Sequence, residues 1–317
     1  MTKPPIICIS ANPALDRRIH LSKLSVGKVN RAHSAQALPG GKAAHVAMAA
    51  RALGAKVIWL GFLGGVLGEE CARQLRKLEI DVVPILTSAH TRINLELIED
   101  AGQITEVLEP GGLPTPEECE EMLRACAAGL QQEWKDALVV ISGSLPAGMA
   151  SDLYPALIEA ARAAGSRIFL DTSGQALQES LAAHPDLVKP NRDEAEALLG
   201  TPVHDFRSAG QAAQELINRG AQSAAVTLGA EGIVWLEKNG SLPWIARVPR
   251  LDAVSTVGCG DAVLAGFAWA SLQGKTNEDS LKLAAACGAA NCLAELPGRI
   301  SLGDVNSLTP QVRIDRA

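Results

Sequence analysis

The sequence predicts an α/β fold in which a mostly parallel central sheet is covered by helices and a small separate β-sheet lies over it as a lid. Three observations carry this expectation. Short apolar runs alternate with Ala/Leu-rich stretches of helical length, the pattern of a parallel sheet with crossover helices. Two segments, about 15–38 and 82–109, break that rhythm with half-polar alternation. The chain of 317 residues is 47% hydrophobic and 20% charged, enough to bury a substantial core as one domain over 1–317.

The elements follow in order. Residues 6–9 are consecutive apolar side chains and read as the first buried strand, followed by a helix over 42–53. Residues 57–60 give the next strand and 68–79 the next helix. Within the second irregular segment, 82–86 and 93–98 alternate polar and apolar residues and read as half-exposed lid strands. The regular rhythm then resumes. Helices are expected over 116–132, 151–164, 193–199 and 208–219, and strands over 137–141, 167–170, 187–188 and 224–228. Residues 255–267 end the series as a glycine-rich turn that enters an apolar helix. Ligands of such sheets gather at the C-terminal ends of the strands.

Composition excludes several functions. A net charge of −6 argues against a protein that neutralises many nucleic-acid phosphates, though a small anion needs only a local basic patch. Residues 16–33 supply such a patch: Arg17, Arg18, Lys23, Lys28 and Arg31 against Asp16 alone, five positive minus one negative, or +4. Most of these read as a solvated face of the lid. Seven cysteines without a C-x-x-C pair read as reduced thiols of a cytoplasmic protein. The apolar run near the start is about five residues, too short for a secretory signal, and no run approaches the ~20 residues of a membrane span. The six histidines show no metal spacing. Gly274-Lys275-Thr276 is preceded by Trp269 where a P-loop needs glycine, and Gly258-Cys259-Gly260 is followed by Val263 where a dinucleotide turn needs its third glycine.

Five places carry chemistry. In Gly258-Cys259-Gly260-Asp261 the glycines let backbone N–H groups converge at a helix N-terminus, which suits a phosphate. Asp261 beside that anion site fits a base that deprotonates the group attacking the phosphate, and fits equally a plain helix cap. Cys259 reads as a packing residue. Pro39-Gly40-Gly41-Lys42 is a second glycine turn at a helix start, and Asp16, past the first strand, can accept sugar hydroxyls or stabilise a turn. Arg92, with one or two of the basic residues above, can grip a phosphate. Asn191 and Glu194, three apart after a strand, fit either water on Mg²⁺ or a capping box.

In this order the segments resemble the ribokinase-like sugar kinases of the PfkB type over essentially the whole chain, nearest the tagatose-6-phosphate kinase and 1-phosphofructokinase branch. The matching residues include Asn12-Pro13-Ala14-Leu15-Asp16, Val29-Asn30-Arg31, Gly40-Gly41-Lys42, Thr91-Arg92, Ser142-Gly143-Ser144, Leu170-Asp171-Thr172, Lys189-Pro190-Asn191, Thr227-Leu228-Gly229 and Gly258-Cys259-Gly260-Asp261. The resemblance implies a three-layer α/β/α sandwich with a β-sheet lid. It implies ATP and Mg²⁺ as cofactors, leaves a K⁺ requirement open, and implies a homodimer formed through the lids. Asp261 inherits the role of catalytic base and Gly258, Cys259 and Gly260 that of the anion hole. Asp16, Lys28, Arg31, Gly40, Gly41, Lys42, His45 and Arg92 inherit the sugar-phosphate side. Lys189, Asn191, Thr227, Gly229 and Gly232 inherit the nucleotide side, and Glu194 the metal through water. The implied reaction is phosphorylation of a hexose phosphate at a primary hydroxyl; the alternatives are a kinase of an unphosphorylated sugar or nucleoside, or a non-catalytic binding homologue. One departure stands out. The family reads G-G-K-G-x-N, whereas Lys42 here precedes Ala43, Ala44 and His45, which exchanges an amide for a titratable imidazole and bears on sugar specificity.

Overall fold

The computed structural model describes residues 4–240 and 242–316. The first strand, β1 (Ile6–Ser10), is buried along its length, as its apolar run requires. β2 (Ala14–Leu21) and β3 (Ala32–Gly40) then pair antiparallel. α1 (Lys42–Ala52) leads to β4 (Val57–Leu63), and α2 (Gly65–Lys77) to β5 (Asp81–Leu86). A hairpin of β6 (Arg92–Glu99) and β7 (Ile104–Leu108) follows. Next come α3 (Pro116–Gln131), β8 (Leu138–Ser142), α4 (Leu153–Ala163), β9 (Arg167–Asp171) and α5 (Gly174–Leu181). α3 starts on a capping box of Thr115 and Glu118 with Pro116 in its first turn. β10 (Leu187–Val188), α6 (Arg192–Leu199), α7 (Phe206–Asn218), β11 (Ser223–Thr227), β12 (Ile233–Glu237) and β13 (Trp244–Arg247) continue the chain. It closes with α8 (Cys259–Leu272), α9 (Asn277–Leu293), α10 (Leu302–Leu308) and β14 (Arg313–Arg316).

The central sheet has ten strands in the order β14-β13-β12-β11-β10-β9-β8-β1-β4-β5. From β5 to β11 every pairing is parallel, and β12, β13 and β14 add an antiparallel edge. Side chains on a strand alternate between the two faces. Ile6 and Cys8 of β1 accordingly enter a core with α1, α2, α8 and α9, while Ile7 and Ile9 enter a second core with α3, α4, α5 and α7. The result is the three-layer sandwich.

The second sheet, β3-β2-β6-β7, is the small separate sheet expected as a lid. Its expected limits are corrected at one point. Residues 82–86 do not belong to the lid, because Asp81–Leu86 pairs in parallel with β4 at the edge of the central sheet. An edge strand is half-exposed and tolerates Pro84, so it shows the same mixed pattern as a lid strand. Among the described residues no helix is long and apolar enough to cross a membrane.

Candidate active site

Two helix N-termini, those of α1 and α8, meet beside the C-terminal ends of the sheet strands. Gly258 begins α8 in the left-handed region, with φ 79° and ψ 0°, and no side chain caps the helix. A Cβ at Gly258 would also come within 2.8 Å of Pro297, so the turn requires glycine twice over. Asp261 lies in the first turn of α8 but is not its cap. Its Oδ2 instead lies 3.0 Å from Nδ1 of His45 on α1. The plain capping reading of Asp261 is thereby set aside.

The far side of the same ring is also engaged: Nε2 of His45 lies 3.0 Å from Oδ2 of Asp16 on β2, and Asn94 on β6 donates to Oδ1 of Asp16 at 2.8 Å. Asp16, His45 and Asp261 are all buried. Burial opposes a charged imidazole, but the hydrogen bonds and charges of Asp16 and Asp261 outweigh it and push the His45 pKa up to about 10. Gly40 leaves the space that Asp16 fills, since a Cβ there would sit 1.9 Å from Asp16 Oδ1. Among the described residues no protein donor reaches Asp261 Oδ1.

A second charged cluster lies on the other side of the α1 start. Lys42 Nζ is 3.1 Å from Asp171 Oδ1 and 2.9 Å from Glu194 Oε1, and Lys189 Nζ is 2.8 Å from Asp171 Oδ2. Burial alone would raise the Asp171 pKa, yet the Lys189 and Lys42 charges prevail and hold it below the usual carboxylate value. Burial likewise works against the Lys42 ammonium, and the charges of Asp171, Glu194 and Asp261 more than offset it, so its pKa is raised. Asn191 and Glu194 do form the capping box, with Glu194 N–H donating to Asn191 Oδ1 and Asn191 N–H to Glu194 Oε2. Glu194 therefore caps α6 with one oxygen and meets Lys42 with the other.

A cavity of about 680 Å³ opens between these groups. Its lining brings together Lys42, Asp171, Lys189, Asn191, Glu194, Thr227, Gly229, Gly232 and the turn Gly258-Cys259-Gly260-Asp261. Glycines at the wall, an uncapped helix N-terminus and two ammonium groups make one end suited to phosphates, and Asp261 stands at that end.

The sequence matches the pfkB family carbohydrate kinase family over residues 10–300. This chain belongs to that family. The 1-phosphofructokinase of Xanthomonas campestris is 37% identical over 96% of this chain and 94% of its own length. The tagatose-6-phosphate kinase of Staphylococcus epidermidis is 30% identical over 98% of this chain and 99% of its own. Among solved structures, phosphofructokinase-2 from Escherichia coli in complex with potassium superimposes with a TM-score of 0.90 at 26% identity, covering 98% of this chain and 99% of that one. The chain is thus a carbohydrate kinase by family, a phosphotransferase that acts on an alcohol.

Other expected residues of the kinase lie elsewhere. Gly41 is the N-cap of α1, with φ 85°. Arg92, at the start of β6, is half-buried and donates through Nη1 to Glu109 O at 2.7 Å and through Nη2 to Asn12 O at 3.3 Å, while its Nε has no partner among the described residues. It lines a separate small hollow with Asn12 and Thr91. Lys28 and Arg31 are exposed between β2 and β3 and do not line the large cavity. Arg18, expected on a solvated face, is instead buried in an ion pair with Glu96 at 2.8 Å and also bonds the Glu295 carbonyl. Cys259 Sγ lies 2.9 Å from Cys292 Sγ, and that hydrogen bond together with burial raises the Cys259 pKa, unlike an activated nucleophile. Asp171 is the residue to which sequence reasoning gave no role. Its signals were the Leu170-Asp171-Thr172 match to the family and its place at the end of a buried strand, where polar side chains meet ligands.

Proposed function

We propose that this pfkB-family kinase transfers the γ-phosphoryl group of ATP to a primary hydroxyl of a hexose phosphate, of the fructose 1-phosphate or tagatose 6-phosphate type, with Asp261 as general base. One observation carries the reading: Asp261 has one oxygen held by His45 and the other free, at the N-terminus of α8, in a cavity lined by Lys42 and Lys189. Oδ1 of Asp261 accepts the hydroxyl proton as the sugar oxygen attacks the γ-phosphorus. Backbone N–H groups of the Gly258–Gly260 turn and the α8 dipole stabilise the charge that develops on the transferred group. Lys42 and Lys189 draw the phosphates to this end of the cavity, while Asn191, Thr227, Gly229 and Gly232 line the part left for the nucleoside. Asp16, packed against Gly40, is assigned to the sugar side on the family resemblance.

The donor set suits Mg²⁺ held through water. Both oxygens of Glu194 already accept hydrogen bonds, from Lys42 and from the Asn191 N–H, so the carboxylate is placed to orient a hydrated ion rather than to enclose it. Mg²⁺ supplies neutralisation of the β- and γ-phosphates when bound. K⁺ is included in the proposal on the potassium complex of the E. coli relative. The lid exposes Val26, Val29, Val107 and Leu108, which supports pairing of two lids in a homodimer. Seven free thiols support a reducing, cytoplasmic setting.

A second reading, a kinase of an unphosphorylated sugar or nucleoside, is favoured by the solvent-facing Lys28 and Arg31 and by the engagement of both Arg92 Nη atoms with backbone carbonyls. Sugar-dependent ADP release over fructose 1-phosphate, tagatose 6-phosphate, fructose 6-phosphate and free sugars separates the two. Turnover confined to the phosphorylated sugars, with an Arg92→Gln variant that raises sugar-phosphate KM about tenfold or more, supports the first. Faster turnover of free sugars and an unchanged KM would replace it with the second.

A further inference from the structure

We propose that His45 is the positioning residue of this site: bridging Asp16 and Asp261, its ring aims the free Oδ1 of Asp261 at the acceptor hydroxyl without touching the sugar itself. The proposal rests on the kinase reading of Asp261. It departs from what the family resemblance implies for this position, a direct contact with the sugar.

The geometry leaves the ring no other use. An imidazole has two polar atoms, and here Nδ1 is 3.0 Å from Asp261 and Nε2 is 3.0 Å from Asp16. Exposures of 5% for His45, 3% for Asp16 and 5% for Asp261 leave little room for water to substitute at either bond. The three groups come from different elements: Asp16 from β2 of the lid, His45 from α1 and Asp261 from α8. The ring is therefore the hydrogen-bonded link between the lid strand that receives the sugar and the helix that carries the base. A shift of β2 on sugar binding is passed to Asp261 through it.

Charge gives the same answer. Two buried carboxylates facing one another repel, and a protonated ring between them removes that repulsion while donating to both. The charged groups around His45 are Asp16 on β2, Asp261 on α8, Glu106 on β7, whose carboxyl feels the His45 charge, and Lys42 one turn earlier on α1. Asn94 on β6 completes the surround as a neutral donor to Asp16. Carboxylates outnumber cations here, which keeps both ring nitrogens protonated at neutral pH. Held in this way, Asp261 keeps Oδ2 occupied and Oδ1 free in one orientation. A base must come within about 2.6–3.2 Å of the proton-bearing oxygen, and a displacement of roughly 1 Å can cost ~10²-fold in rate.

The test combines titration with kinetics. Protein labelled with ¹⁵N at its histidines is titrated by NMR, with the His45 signal assigned by its loss in His45→Asn. Both ring N–H groups are expected to persist well above pH 8, with titration near pH 10. In steady-state assays His45→Asn should lose about 10–100-fold in kcat, with KM for sugar and ATP nearly unchanged and the alkaline limb of the wild-type profile gone. A ring that titrates near its ordinary value, or a variant with unchanged kcat and a sugar KM raised tenfold, overturns the proposal. If His45→Asn does not fold, His45→Gln serves for both the assignment and the kinetics, with the same expected and overturning results. Wild-type protein without turnover on any sugar sinks the kinase reading, whereas an active wild type with an unimpaired variant sinks only this inference.

Discussion

Two charge clusters, one buried and one partly open to the cavity, flank the first turn of α1, and they are built in opposite senses. In one, a cation sits between two carboxylates: His45 between Asp16 and Asp261. In the other, a carboxylate sits between two cations: Asp171 between Lys42 and Lys189, with Glu194 completing the set. With the ring protonated, the first carries one net negative charge and the second is balanced. The difference matches the two halves of phosphoryl transfer. The alcohol must give up a proton to a negative group, and the nucleotide phosphates must meet cations that are already ordered.

The largest effect is expected from Asp261, the proposed base. Asp261→Asn should lower kcat by about 10²–10⁴-fold with little change in ATP affinity, measured by ADP release and nucleotide titration. Turnover within tenfold of wild type would take Asp261 out of the mechanism. Next in size is Asp171→Asn, which leaves the buried Lys189 ammonium and the half-exposed Lys42 without the carboxylate between them. A stability loss of about 3–5 kcal/mol in urea denaturation is expected, together with weaker ATP binding; a loss below about 1 kcal/mol would mean that the second cluster is not held by Asp171.

The clusters should also fail at opposite ends of the pH scale. A raised His45 pKa contributes stability that is complete below its ordinary value of 6.5 and is lost as pH rises through about 10. A depressed Asp171 pKa contributes stability that is present above its ordinary 3.8 and is lost as pH falls through its lower folded value. Melting temperatures across this range should fall at both ends, with His45→Asn flattening only the alkaline side and Asp171→Asn only the acid side. Identical alkaline decline in His45→Asn would break the contrast. Gly40→Ala should be smaller, about 1–3 kcal/mol, because its methyl group displaces Asp16; a crystal structure of the variant with Asp16 unmoved would refute that cause. Smallest is Val26→Ser on the lid, 92% exposed, with a change of monomer stability under about 0.5 kcal/mol by thermal melt.

Much of this was legible in the sequence. The six apolar runs that read as buried strands lie in β1, β4, β8, β9, β10 and β11, because a strand covered on both faces must be apolar throughout. β5 carries the alternation of a lid strand because it is exposed at the edge of the central sheet. The antiparallel edge of β12, β13 and β14 has no clear sequence signature, its strands being short, mixed in polarity and separated by up to 65 residues, from Arg247 to Arg313. In the site, the glycine turns and Asp261 carry their own local signature. His45 was visible only as a departure from a family pattern, since its role depends on α8, 216 residues away. For Glu194 the capping box and the place in the cavity coexist, which is why spacing alone left both readings open.

Whether Asp261 receives the proton of the sugar hydroxyl is decided by a crystal structure with a non-hydrolysable ATP analogue and a reactive sugar phosphate bound together. The acceptor hydroxyl is expected within about 2.6–3.2 Å of Asp261 Oδ1, in line with the γ-phosphorus, with His45 still bonded to Oδ2. A sugar bound in line with its hydroxyl out of reach of Asp261, or directly bonded to a rotated His45, would contradict it.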